Sequence, residues 1–155
     1  MNQVANQQLL GIAQRHRYHL EHFKKILAPM MPLTTEKIEE FTETNIAFCD
    51  AFIMRFCMLQ DIMGVKLFDV VTSLMGKDPV QMTIIDKTNF LEKLEIIQKA
   101  QTWQELRKIR NKLTHEYPNA PLLSADAINK AFIQVDDMFQ ILDAIAKRIE
   151  AEVTS

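Results

Sequence analysis

The sequence predicts an all-α protein, an up-and-down four-helix bundle with one or two short extra helices, on three observations. Its 155 residues hold only 3 glycines and 5 prolines and are rich in Leu, Ile, Met, Ala, Lys, Glu and Gln, a helix-former composition with few turns. Apolar residues return every three or four positions over long stretches, the spacing that gathers them on one side of a helix. No stretch alternates apolar and polar residues as a half-buried strand does. Length and a 48% hydrophobic content suit a single folded domain, residues 1–155, with a core of its own.

Residues 3–27 read as the first helix, with Leu9, Ile12, Ala13, Leu20, Phe23, Ile26 and Leu27 forming a broken apolar stripe. "APMMPL" ends it, because a proline disfavours helical backbone in the residue before it. A second helix is expected to start near "TTEKIEE", where hydroxyls precede early carboxylates. Ile38, Phe41, Phe48, Phe52 and Leu59 continue at helical spacing, a kink or break is expected around Gly64, and "KLFDVVTSLMG" carries on to Gly76. "GKDPVQMT" is a connection, after which Asp86 is expected to cap a shorter helix bearing Phe90, Leu91, Leu94 and Ile97. "QTW" opens the next helix, which should end near Tyr117 because Pro118 follows. "PNAPLL" reads as a loop, and Ser124 as the cap of a long last helix. There Ile128, Ala131, Phe132, Val135, Met138, Phe139, Leu142, Ile145 and Ile149 keep helical spacing.

Charge and composition exclude some functions. A net charge of -2 argues against a generally basic nucleic-acid binder and leaves room for a local cationic patch. Cys49 and Cys57 lie in an apolar run with no partner motif and read as reduced core thiols. No apolar stretch approaches the ~20 residues that cross a bilayer, and "MNQVANQQ" is no signal peptide, so no membrane contact and a cytoplasmic home are expected. His16, His19 and His22 follow one another at three-residue spacing. No cysteine or acidic cluster completes a metal site around them, so a solvated or interfacial helix face is expected. The carboxylates are scattered and do not support a paired-acid hydrolase, and there is neither a phosphate-cradling glycine loop nor a nucleophile elbow.

One stretch stands apart. In "LRKIRNKLTHEYP", residues 106–118, four basic side chains (Arg107, Lys108, Arg110, Lys112) fall within six positions, ahead of a histidine and a tyrosine. On a helix Leu106, Ile109 and Leu113 form the buried stripe, and Asn111 and His115 lie one turn apart on a polar face. Arg110 and His115 are about 140° apart around the axis, so they meet only if the arginine wraps across or the last turn loosens. A guanidinium and an imidazole together suit a phosphodiester. The first holds two phosphate oxygens and spreads transition-state charge, and the second moves a proton. RNA transesterification needs a base and an acid, and the stretch offers one histidine. A twofold dimer placing two copies face to face would supply the second, with no metal ion or other cofactor required. The same Arg-x4-His spacing also occurs at Arg17 and His22, which makes the bare spacing a weak signal.

Asn111 directly after the arginine and Tyr117 two residues after the histidine set the second copy apart, and there the chain resembles the HEPN-domain proteins. It is most similar to their HepT branch, marked by Arg-x4-His-x-Tyr with a polar residue after the arginine. The likeness extends from about residue 40 to 145 through "RFCMLQDIMGVKLF" and "WQELRKIRNKLTHEYP", and only residues 110–117 are specific to it. The resemblance implies a HEPN-like bundle that forms a homodimer with two Arg/His motifs in one cleft. In active members that cleft is a metal-independent endoribonuclease, the toxin of a toxin–antitoxin module. Its partner is a minimal nucleotidyltransferase antitoxin, which transfers AMP to the tyrosine of the motif, here Tyr117. Arg110 would then hold the scissile phosphate of the RNA substrate, His115 act as acid or base, and Asn111 orient His115, with Arg107 and Lys112 as weaker backbone contacts. Two other readings remain open: a non-catalytic helical partner that binds or presents substrate to a nucleotidyltransferase, and a plain structural bundle.

Overall fold

The first apolar stripe becomes α1 (Gln3–Leu27) in the computed structural model, which describes residues 3–116 and 124–154. All regular structure among those residues is helical. Leu10, Ala13, Leu20 and Leu27 face inward on α1, and a 3-10 turn at Ala28–Met30, with a proline in its first turn, closes it.

The second stretch departs from the expected single helix. A short α2 (Thr35–Glu39), capped by Thr34 Oγ1 accepting from the Lys37 N–H at 3.2 Å, stops before Phe41. A new helix, α3 (Glu43–Ile62), starts two residues after Phe41. The cause is a reciprocal cap. The Asn45 N–H donates to Thr42 Oγ1 and the Thr42 N–H to Asn45 Oδ1, each at 3.1 Å, satisfying two donors that a helix start leaves open. Such a cap contributes about 1 kcal/mol, enough to decide where a marginal helix begins.

At Gly64 the chain neither breaks nor stops. It widens into a single π-helical turn, Met63–Leu67, and continues as α4 (Phe68–Leu74). A Cβ on Gly64 would lie 2.9 Å from Cζ2 of Trp103, so only glycine lets the indole press against this rod. The rod ends as glycine-terminated helices commonly do. Gly76 has a φ of +88°, and the Gly76 and Lys77 N–H groups return to the carbonyls of Ser73 and Thr72.

A 3-10 turn at Pro79–Gln81 leads to α5 (Ile84–Lys93). Its cap is Thr83 rather than Asp86. The Asp86 N–H donates to Thr83 Oγ1 at 3.1 Å, while the Asp86 carboxylate accepts from the Thr83 N–H at 3.0 Å. Those hydrogen bonds hold the Asp86 carboxyl below its usual range. Leu94 and Ile97 fall beyond the end of α5, where Glu95 turns to a φ of 61°, yet Ile97 is still buried. Then follow α6 (Ala100–Glu116) and α7 (Ala125–Thr154), the latter directly after the fully buried Ser124. Tyr117 and the "PNAPLL" loop lie outside the described residues.

Four long rods, α1, α3 with α4, α6 and α7, surround one core, and the polar contacts between them set their directions. His16 meets Arg55 and Phe23 meets Phe48, so α1 and α3 run antiparallel. Cys57 lies by Thr114 and Gln60 donates to the Leu106 carbonyl, so α3 and α6 are antiparallel too. Lys24 pairs with Asp136 and Gln3 with the Glu152 carbonyl, which gives α1 and α7 the same relation. Phe52, Phe56, Phe68 and Trp103 are fully buried between the rods. Each such phenylalanine contributes roughly 2–3 kcal/mol relative to an exposed one. On α7 the expected inward residues are all buried except Phe132, which is partly covered.

Candidate functional site

Burial of Leu106, Ile109 and Leu113 fixes the rotation of α6, and this turns Arg107, Asn111, Lys112 and His115 outward. Arg110 is half-buried at the edge between α6 and α3. Its guanidinium does not wrap toward His115. It forks onto Asp61 of α3, Nε to Oδ1 at 3.0 Å and Nη2 to Oδ2 at 2.9 Å, which raises its already high pKa further. Asn111 stands one turn before His115 as expected, but its Oδ1 accepts from Arg110 Nη1 at 3.5 Å. No hydrogen bond joins Asn111 to His115 among the described residues, nor does a carboxylate there pair with Arg107 or Lys112.

The clamp on Arg110 is a weak one. The Arg110 side chain is 28% exposed and that of Asp61 is 51% exposed. An ion pair with that much solvent around it is worth at most about 1 kcal/mol. A phosphate can therefore displace Asp61 at little cost and take over both guanidinium bonds. Farther along α6, Thr114 Oγ1 donates to the Arg110 carbonyl at 2.9 Å and sits 3.9 Å from Cys57 Sγ. The last turn of α6, with His115, thus lies beside the middle of α3. Along the outer face of α3 and the π-turn after it, Met54, Met58 and Val65 are exposed and follow one another with Asp61 at three- and four-residue steps.

Arg110 and Asn111 line a cleft of about 520 Å³ that opens between the end of α3 with its π-turn, α4, α5 and α6. Gly64 and Trp103 form part of its wall, and Asp69, Lys87, Arg107 and Arg110 bring charge to it. Lys87 Nζ lies 2.7 Å from Asp69 Oδ1. The cleft brings together Arg107, Arg110 and Asn111 of the sequence pattern, while Asp61, Asp69 and Lys87 are charged lining residues that the pattern did not point to. The one trace of them in the chain is a glycine inside a helical run, which usually marks a close approach, and here it marks Trp103.

Other candidates serve the fold. Arg17 of the second Arg-x4-His spacing holds α1 to α7 through Asp143 and the Phe139 carbonyl. His22 packs near Phe23, as does His19, while His16 turns inward and meets Arg55. No group of three His, Cys, Asp or Glu side chains converges as a metal site among the described residues. Cys49 and Cys57 are unpaired; burial pushes the Cys49 thiol up to about 11 and raises that of Cys57, which keeps both inert. No described helix is long and apolar enough to cross a membrane. No protein-family model, curated protein or solved structure matches the chain.

Proposed function

We propose that this chain is a HEPN-like, HepT-like endoribonuclease, the toxin of a bacterial toxin–antitoxin module, acting in the cytoplasm as a homodimer. The single observation that carries the reading is the shared edge of α6 and α3. There Arg110, held across the helices by a displaceable carboxylate, stands on one helix with an exposed His115. The exposed Met54 and Met58 of α3 and Val65 of the π-turn flank that edge and offer a second copy an apolar seat. Two copies seated there would bring two imidazoles to one RNA linkage.

The chemistry then needs only side chains. One His115 takes the proton of a 2′-hydroxyl as its oxygen attacks phosphorus. The other gives a proton to the departing 5′-oxygen, leaving a 2′,3′-cyclic phosphate and a 5′-hydroxyl. Arg110 leaves Asp61, grips two phosphate oxygens and stabilises the charge gathered there. Arg107 and Lys112 hold the neighbouring backbone. Asn111 steadies Arg110 through the contact it makes, rather than His115. AMP transferred to Tyr117 by a cognate nucleotidyltransferase would place a bulky anion two residues from His115, repelling RNA and closing the site.

Incubating the purified protein with single-stranded RNA in the presence of a chelator tests this. Cleavage to 2′,3′-cyclic ends that disappears in His115→Ala supports the reading; RNA left intact, or cut equally by both proteins, overturns it. A second reading has its own observation. The two-pronged Asp61 clamp occupies the arginine that catalysis requires, as suits a non-catalytic helical partner of a nucleotidyltransferase.

A further inference from the structure

We propose that the cleft lined by the π-turn, α4, α5 and α6 holds a phosphate group, with Arg107 and the indole N–H of Trp103 as its donors. Such a group can belong to an RNA strand or be free in solution. The RNA source rests on the nuclease reading above; the site itself does not.

The first observation is the charge left over. Three cations line the cleft, Lys87, Arg107 and Arg110, together with two carboxylates, Asp61 and Asp69. Lys87 Nζ lies 2.7 Å from Asp69 and Arg110 forks onto Asp61, while no described carboxylate pairs with Arg107. One cation thus stands unmatched beside two satisfied pairs, which suits a group of single negative charge such as a phosphodiester.

The second is an unmet donor. Trp103 is 1% exposed, and its Nε1 has no acceptor. Trp103 and Arg107 are four residues apart on α6, so they share one face of that helix, and both line the cleft. The indole edge that leads to Nε1 runs past Gly64, another lining residue: Cε2 is 3.7 Å from where a Cβ on that glycine would stand. A buried N–H without an acceptor calls for an explanation, and an oxygen brought by a ligand is one. The third is backbone. Gly64 and Val65 of the π-turn form part of the cleft wall, and single π-turns inside helices recur at functional sites.

Phosphate suits this donor pair better than a carboxylate does. A planar guanidinium grips two phosphate oxygens and leaves others for a further N–H. A carboxylate has only two oxygens, and the same guanidinium engages both. The volume of about 520 Å³ leaves room for the groups attached to phosphorus. Arg107 also stands three residues before Arg110, so a strand resting its scissile phosphate on Arg110 would bring an adjoining phosphate to the cleft.

Trp103 is the chain's single tryptophan, so its emission reports events at the cleft wall. Inorganic phosphate, acetate and a short 2′-O-methyl oligouridine, which carries phosphodiesters and cannot be cut, are titrated into the full chain at fixed ionic strength. A saturable change with phosphate or the oligonucleotide, and none with acetate, is expected. Arg107→Ala should raise the half-saturating concentration at least about tenfold. Lys108→Ala, which removes an exposed charge outside the cleft, should raise it less than about twofold. No change with any of the three, an equal change with acetate, or equal losses from the two substitutions overturns the proposal. Saturation by the oligonucleotide assigns the site to a strand; saturation by inorganic phosphate alone assigns it to free phosphate. RNA cleavage by the same preparations separates the two readings. An emission change without cleavage keeps this site and removes the nuclease; cleavage without an emission change does the reverse.

Discussion

Arg17 with His22 on α1, and Arg110 with His115 on α6, share one spacing and differ in how many partners hold the arginine. Arg17 is built into the bundle. Its Nε bonds Glu21 at 2.7 Å, its Nη1 meets Asp143 and the Phe139 carbonyl, and its guanidinium lies 4.9 Å over the Phe139 ring. Arg110 is about as exposed as Arg17, 28% against 23%, but its strong contact is the single half-exposed carboxylate of Asp61. One arginine is a strut between helices and the other is a hand held by a replaceable partner. What separates them is where the neighbouring helices place carboxylates, which no spacing within one helix encodes.

The largest effect should come from the histidines. Substituting His115→Ala is expected to lower RNA cleavage by about 10²–10⁴-fold, the usual worth of an acid–base group, while His22→Ala leaves the rate alone. Equal losses from both would erase the comparison. The arginines should then split by readout. Arg110→Ala should lower cleavage by about 10²–10³-fold with little change in melting. Arg17→Ala should cost about 1–2 kcal/mol of stability, a fall of roughly 2–8 °C in Tm, through lost packing over Phe139 and lost ion pairs.

A subtler contrast lies in His16. Arginine can only donate, so the 3.0 Å contact with Arg55 makes His16 Nδ1 the acceptor and leaves the ring neutral. Burial first, then Arg55 and His19, lower its pKa from 6.5. The folded state therefore binds this proton less readily than the unfolded one. The resulting stability is complete above 6.5 and is lost as pH falls from there through the lowered folded value. Denaturant midpoints measured between neutral and mildly acid pH should fall, and His16→Gln should flatten that dependence. The smallest expected effect is at the clamp. Asp61→Asn should strengthen RNA binding only about two- to fivefold, because an exposed ion pair is worth at most about 1 kcal/mol. Weaker binding would show that Asp61 positions Arg110 rather than occupying it.

The fold was readable wherever burial imposed a period. The end of α1 follows from the prolines after it, and the inward face of α7 from apolar spacing, since a helix against a core must keep one side apolar. Local capping was harder to foresee. Thr42 with Asn45 restarts a helix inside a run whose apolar period is unbroken, and Thr83 outcompetes Asp86 because the two residues cap each other. Gly64 looked like a kink or break and is a close contact within a π-turn, which only the position of Trp103, far along the chain, explains. In the site, the outward face of α6 was legible from Leu106, Ile109 and Leu113. The bond from Arg110 to Asp61 was not, since it joins residues 49 positions apart on different helices. The cleft was hidden for the same reason: its charges come from four elements, α3, α4, α5 and α6.

The structure of the assembled protein in a crystal tests the central claim most directly. The account predicts a twofold dimer seated on the Met54, Met58 and Val65 face, with both His115 rings and both Arg110 guanidiniums turned into one cleft that a single RNA linkage can bridge. A monomer, or a dimer in which the two α6 ends point away from each other, would contradict it.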